Sequence, residues 1–205
     1  DFTLLQRAGC RRLPIAVESG SKRIQRLLKK PVDVEDLLKI NRDLRRFDMA
    51  LHYAFMMGFP TETEEDLSES FSLAFRLLDE NPKADTSFNI FTPFPGTELF
   101  DVTVKNGLHA PERLEDWFSF NYRNLTQGAP WLSEKMRHLV EVMDFCTFLM
   151  GKRPFVQPYE KTDPVVSLLC KIYAPFAKMR VKHFWDRLPV EMKLAKLLGL
   201  YAKQD

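Results

Sequence analysis

Three short segments concentrate the residue types that could handle a ligand: "VESGS" at 17–21, "MMGFPTETEED" at 56–66 and "FTPFPGTEL" at 91–99. Each closes an apolar run and mixes glycine or proline with hydroxyls and carboxylates. Glycine lets a backbone come close to a ligand, and proline fixes the turn that does so. Glu62 and Glu64 are near enough in sequence to suggest paired-carboxylate acid–base work. "TETEED" is, however, the acidic signature of a helix start, where carboxylates stabilise the dipole, and it is read here in that way. The histidines His52, His109, His138 and His183 do not pair at ligand spacing and read as core or solvated side chains. Cys10, Cys146 and Cys170 are odd in number, far apart and without a CxxC, so no metal ligand is assigned. Cys146 lies in the apolar "MDFCTFLM" and reads as core, and Cys10 as structural. No residue is assigned a catalytic role.

The elements that would position these segments alternate. Strand-like runs fall at 13–17, 51–57 and 86–91. Between the first two lie "SKRIQRLLKK" and "DVEDLLKINRDLRRF". In the second of these Val34, Leu37, Leu38, Asn41, Leu44 and Phe47 fall on one helical face and Asp33 is placed to cap it. Before the third strand, Thr63 is a cap candidate for a helix carrying Leu67, Phe71, Ala74, Phe75 and Leu78, and Asn81-Pro82 stops it. Alternating strands and helices imply parallel pairing through right-handed crossovers. The strand ends near Glu18, Gly58 and Pro93 are 40 and 35 residues apart, a spacing that suits a TIM-like barrel or a doubly wound sheet. In such folds ligands sit at the carboxyl ends of the strands, so the three segments form one binding floor.

After about residue 107 the pattern changes to an aromatic, proline-punctuated stretch. A helix capped by Ser133 follows, with Met136, Leu139, Val140, Met143 and Leu149 inward. Prolines mark 152–164 as a linker, and two more helices are expected near 164–183 and 189–203. The division is therefore 1–107, three parallel βα units, and 108–205, a mainly helical extension. The fold class is α/β, and three strands suit part of a TIM-like barrel or of a doubly wound sheet. The last segment mixes cations with Trp185, Leu188 and Leu200; it reads as a helical hairpin packed on the core, with membrane-surface contact as the competing use.

The 205 residues, 45% hydrophobic and 28% charged, are those of an ordinary globular chain, and a net charge of +2 gives no reason to expect nucleic acid. There is no apolar span of 18 residues, and cysteine usage favours a reducing, cytoplasmic setting. The start, Asp1-Phe2-Thr3, reads as the middle of a longer polypeptide.

"LPIAVESGS", "FMMGFPTETEED" and "FTPFPGTELF", in that order, resemble the later strands of radical S-adenosylmethionine (SAM) enzymes. They are most similar to the branch whose members often carry a cobalamin-binding domain. The resemblance covers about residues 1–107. It implies that SAM ligates a [4Fe-4S] cluster and is cleaved to a 5′-deoxyadenosyl radical for C–H functionalisation, with methyl transfer, by way of cobalamin, as the leading reaction. The family's CxxxCxxC cluster loop is absent from this sequence, as is the motif that engages the SAM amino group. The resemblance implies that 1–107 are the later half of a partial TIM-like barrel. Truncation before its fourth strand accounts for both losses more simply than degeneration of the family pattern, the alternative left open. The chain alone is expected to be inactive.

By that resemblance Glu18 lies near the SAM ribose, where a carboxylate can accept hydroxyl hydrogen bonds. Ser19 and Ser21 add hydroxyl contacts or cap the next helix, and Lys30 pairs with the SAM carboxylate. Met56 and the Gly58 backbone form an adenine-side wall, Thr92 and Pro93 give backbone contacts to adenine, and Asn89 faces the substrate. The implied partners are the missing N-terminal half of the barrel, a small-molecule or lipid substrate, and an electron donor such as flavodoxin or ferredoxin. Two other functions remain open: methylthiolation or another radical modification of RNA, and a non-catalytic half-barrel scaffold.

Overall fold

The computed structural model describes residues 1–118, 129–150, 164–190 and 192–193. Three parallel strands, β1 (Arg12–Glu18), β2 (Ala50–Met57) and β3 (Ala84–Ile90), form one sheet in the order β1-β2-β3. Helices α2 (Lys22–Leu27) and α3 (Val34–Asp43) join the first pair, and α4 (Glu64–Glu80) joins the second. The fold class is thus the expected α/β one, consistent with part of a TIM-like barrel. A short α1 (Phe2–Arg7) precedes β1, and α5 (Glu98–Lys105) follows β3. Neither was anticipated, because six- and eight-residue helices show too little periodicity to stand out from a turn.

Capping sets where the crossover helices begin. Asp33 accepts the Asp36 N–H at 2.9 Å at the start of α3. At α4, Thr63 and Asp66 form a reciprocal capping box, and Asn81 ends the helix as the sequence indicates. The sheet's two faces differ. Leu51, Tyr53, Phe55 and Met57 alternate along β2 and are fully buried beneath α3 and α4. Phe88 is stacked between Phe55, 4.9 Å away, and Phe71 of α4, 4.2 Å away. One polar side chain in this layer is satisfied throughout: Asn41 accepts from the Tyr53 hydroxyl at 3.0 Å and donates to the Leu77 carbonyl at 2.9 Å. It ties α3, β2 and α4 together, which is why an amide occupies an otherwise apolar face.

The opposite face carries Arg12, Pro14 and Ala16 of β1, His52, Ala54 and Met56 of β2, and Asp85, Ser87 and Asn89 of β3. Arg12, Pro14, Ala16 and Asn89 are exposed there. In a barrel this is the interior. The C-terminal helices do not cover it: α6 (Glu134–Met150) packs along α7 (Pro164–Lys182) and against β3, and α7 reaches α4. Phe184 meets Phe71 edge-on at 5.9 Å, and Lys178 pairs with Asp79 at 3.2 Å. Leu139, Val140 and Met143 are buried, as is Cys146, while the Leu149 side chain lies outside the described residues. So do the proline linker and most of the helix expected at 189–203.

Candidate functional site

The parallel ladder brings all three strand ends to one edge: Glu18 pairs with Phe55, and Met57 with Ile90. β1 ends irregularly. A register shift falls between Ala16 and Glu18, and Glu18 itself adopts φ 65°, an unfavourable conformation for a residue with a Cβ. The bend turns the half-buried Glu18 carboxylate toward the end of α2, where it pairs with Lys30 at 3.0 Å. The two residues assigned to opposite ends of one ligand therefore contact each other.

The turn after β1 is anchored from within. Ser19 is fully buried and its hydroxyl lies 3.0 Å from Ser70 of α4. It also accepts the Ser21 N–H at 3.1 Å. The hydroxyl is thus engaged within the turn, which it anchors to α4. Ser21 caps α2 and donates to Asp66 at 2.6 Å. Gly20 has no room for a side chain, because a Cβ there would meet the Glu69 carbonyl oxygen at 2.6 Å.

Asp66 is the centre of this anchorage. Besides Ser21 it receives the Arg23 guanidinium and both the N–H and hydroxyl of Thr63. Burial pushes its pKa up, but Arg23, Ser21 and Thr63 together outweigh burial and hold the carboxyl well below the usual range. The Arg23 pKa is raised in turn, chiefly by its hydrogen bond to Asp66.

At the end of β2, Gly58 has φ 80°, which favours glycine. Both its backbone groups are used internally: its N–H donates to Glu62 at 2.5 Å, and its carbonyl accepts the Trp131 indole N–H at 2.8 Å. Gly58 is thus a junction between the turn after β2 and the C-terminal segment. Met56 is half-buried on the uncovered face, in register with exposed Asn89.

Glu62 and Glu64 are separate, but for a different reason than the acidic helix-start signature gives. Glu64 is in the first turn of α4 and pairs with Lys135. Glu62 precedes the cap, is 6% exposed, and folds back so that one oxygen accepts the Gly58 and Phe59 N–H groups while the other has no partner. Burial raises its pKa to about 8, against the lowering effect of those two bonds. The spacing Thr63-x-x-Asp66 was the available signal: it sets the cap at Thr63 and leaves Glu62 outside the helix.

At the end of β3, Thr92 is half-buried and its hydroxyl oxygen is buried without a partner. Pro93 beside it is buried and Phe94 is 69% exposed. A buried hydroxyl left open at a strand end fits a polar ligand group. The residues present therefore fit SAM in part, through Glu18, Lys30 and Thr92. They do not fit an iron–sulfur cluster, because no group of three or more metal-ligating side chains occurs among the described residues, and the three cysteines are scattered in sequence.

Comparison with known proteins bears on this edge. Residues 1–74 match the family model of the Radical SAM superfamily. The match takes in the first two motifs; the third lies beyond it. An uncharacterized methyltransferase of Pyrococcus horikoshii is 27% identical over 65% of this chain and 26% of its own length. A tRNA-2-methylthio-N(6)-dimethylallyladenosine synthase of Aromatoleum aromaticum is 33% identical over 63% of this chain and 28% of its own. The cytidylyl-2-hydroxyethylphosphonate methyltransferase of Streptomyces wedmorensis is 26% identical over 66% of this chain and 26% of its own. The chain spans about a quarter of the length of these curated relatives.

Proposed function

We propose that this chain supplies the later strands of a radical SAM barrel and that, in the full-length enzyme, their carboxyl edge holds SAM. The observation that carries the reading is the parallel β1-β2-β3 sheet, with its motif-bearing turns on one edge and with Arg12, Pro14, Ala16 and Asn89 exposed on the face opposite α3 and α4. Glu18 accepts from the ribose hydroxyls, Lys30 pairs with the ligand carboxylate, and Thr92 uses its open hydroxyl, with Met56 and Pro93 as apolar walls. Ligand entry exchanges the Glu18–Lys30 pair for these contacts. Asn89 faces the substrate from the inner face. Cleavage of SAM to a 5′-deoxyadenosyl radical would need a reduced [4Fe-4S] cluster, and ligands for it would have to come from outside these residues.

The finer reaction is methyl transfer to a small-molecule or lipid substrate, with cobalamin as carrier and a flavodoxin- or ferredoxin-like electron donor. Motif resemblance and the methyltransferase names of two relatives support it. Methylthiolation of tRNA is the second reading, supported by the names of other relatives. Its rival is favoured by the helical character of the described C-terminal residues. A cytoplasmic setting belongs to the same proposal, and no helix among the described residues is long and apolar enough to cross a membrane.

The test is anaerobic cluster reconstitution of the full-length protein, followed by reduction with SAM and detection of 5′-deoxyadenosine. E18A and K30A should each raise the SAM dissociation constant about tenfold, the cost of one charged contact. Absence of SAM binding by calorimetry would favour a scaffold and end the enzyme reading. Modified tRNA among the products would select methylthiolation.

A further inference from the structure

The uncovered face carries a hydrogen-bonded file that the SAM edge does not use. Asp85 on β3 receives the Arg12 guanidinium with both oxygens, each at 3.0 Å. Paired in this way it is an acceptor only. Its contact with His52 Nδ1 must then be donated by the imidazole. A neutral ring protonated at Nδ1 leaves Nε2 as an acceptor, and the group facing Nε2 is the Ser87 hydroxyl at 3.2 Å. Asn89 Nδ2 faces the Ser87 oxygen at 3.5 Å. Every donor in the file therefore points the same way, from Asn89 toward Asp85.

Burial sorts these residues. His52 is 6% exposed, Ser87 and Asp85 are half-buried, and Asn89 and Arg12 are exposed. Asp85 from β3 contacts the imidazole, and Arg12 from β1 contacts Asp85. Pro14 and Ala54, its neighbours on β1 and along β2, are neutral. A histidine kept only as sheet filling needs no hydroxyl against Nε2 and no ion pair behind Nδ1.

We infer that Ser87, backed by His52 and Asp85, is a proton-accepting site on the barrel's inner face for a small molecule that presents a hydroxyl or N–H group. This rests on the radical SAM reading only in taking that face as the substrate side. The substrate X–H bond breaks with its electron pair left on X. The proton goes to the Ser87 oxygen as the serine proton moves to His52 Nε2, and Asp85, itself paired with Arg12, holds the resulting imidazolium. No oxidant or reductant enters. Ser87 would touch the substrate, and Asp85 is a positioning residue.

A fluorophosphonate probe tests this on the protein itself, because an activated serine displaces fluoride from phosphorus as its proton passes to the histidine. Mass spectrometry should find the adduct on Ser87, none in S87A, and a labelling rate on the order of 100-fold lower in H52Q. D85N should also slow labelling while leaving the melting temperature close to that of the wild type, a split that a packing role would not give. No adduct on Ser87, or equal rates for wild type and H52Q in samples that melt alike, overturns the inference. SAM cleavage by the full-length protein is read separately, so its failure would count against the proposed function and leave this outcome standing.

Discussion

Replacing Glu62 by glutamine separates the charge of this side chain from its shape. Burial holds the carboxyl neutral to about pH 8, while in the unfolded chain it titrates near the ordinary carboxyl value of 4.5. Raising a carboxyl by that interval corresponds to a ceiling of about 5 kcal/mol of preference for the neutral form. Water drawn in by ionisation lowers this, so about 2 to 5 kcal/mol is expected. The sign follows from linkage: between pH 4.5 and 8 the folded state binds the proton that the unfolded state has lost, so stability falls as pH rises. Below the unfolded pKa the contribution is whole, and above the folded pKa it is gone. Glutamine keeps a carbonyl oxygen for the Gly58 and Phe59 N–H groups and never ionises. Urea unfolding of wild type and E62Q from pH 5 to 9.5 should give a difference that grows toward alkaline pH in favour of E62Q, with a slope up to about 1.4 kcal/mol per pH unit, and then flattens. A difference that stays level across this range would show that Glu62 ionises normally in the folded protein, and the account of the turn would fail.

Three other perturbations follow from the same geometry. D66N removes the buried partner of Arg23 and should cost about 3 kcal/mol near pH 7. It should also remove the loss of stability that the wild type shows as pH falls below about 4, where a carboxylate with a depressed pKa gives up its contribution; a stability–pH curve checks both. G20A drives a Cβ into the Glu69 carbonyl and should destabilise by about 2 kcal/mol or more in urea titration, since the clash is with backbone. W131F leaves the Gly58 carbonyl without its donor and should cost about 1 to 3 kcal/mol, with the melting temperature as the readout.

The alternation of strands and helices was legible because period-2 and period-3.6 patterns extend over seven to seventeen residues in β2, β3, α3 and α4. Capping by Asp33 and Thr63 was legible because caps are local chemistry. The strand-end edge followed from topology, which places Glu18, Met57 and Ile90 together once the pairing is parallel. What the sequence did not disclose was where polar groups point. Ser19 and Glu62 read as surface residues by type, yet both are buried, because α4 packs over the first turn and the second folds back on its own amides. His52 looked solitary because its partners are 33 and 35 residues away and meet it only across the sheet. Trp131 is 73 residues from the carbonyl it caps, a contact no local pattern could reveal.

Pro14 has a bearing on how the border of the sheet behaves. The Ala50 N–H bonds to the Arg11 carbonyl, so by the alternation of the ladder the amides at 13 and 15 turn to β2 and the ring at 14 turns outward. One rung is therefore missing on the free side of β1. An incoming strand loses least by setting its own unneeded acceptor against that gap, which makes one alignment cheaper than its neighbours. Stray copies stacking flank to flank meet the same defect, so a single imino acid acts both as a keying notch for the correct neighbour and as a brake on fibre growth.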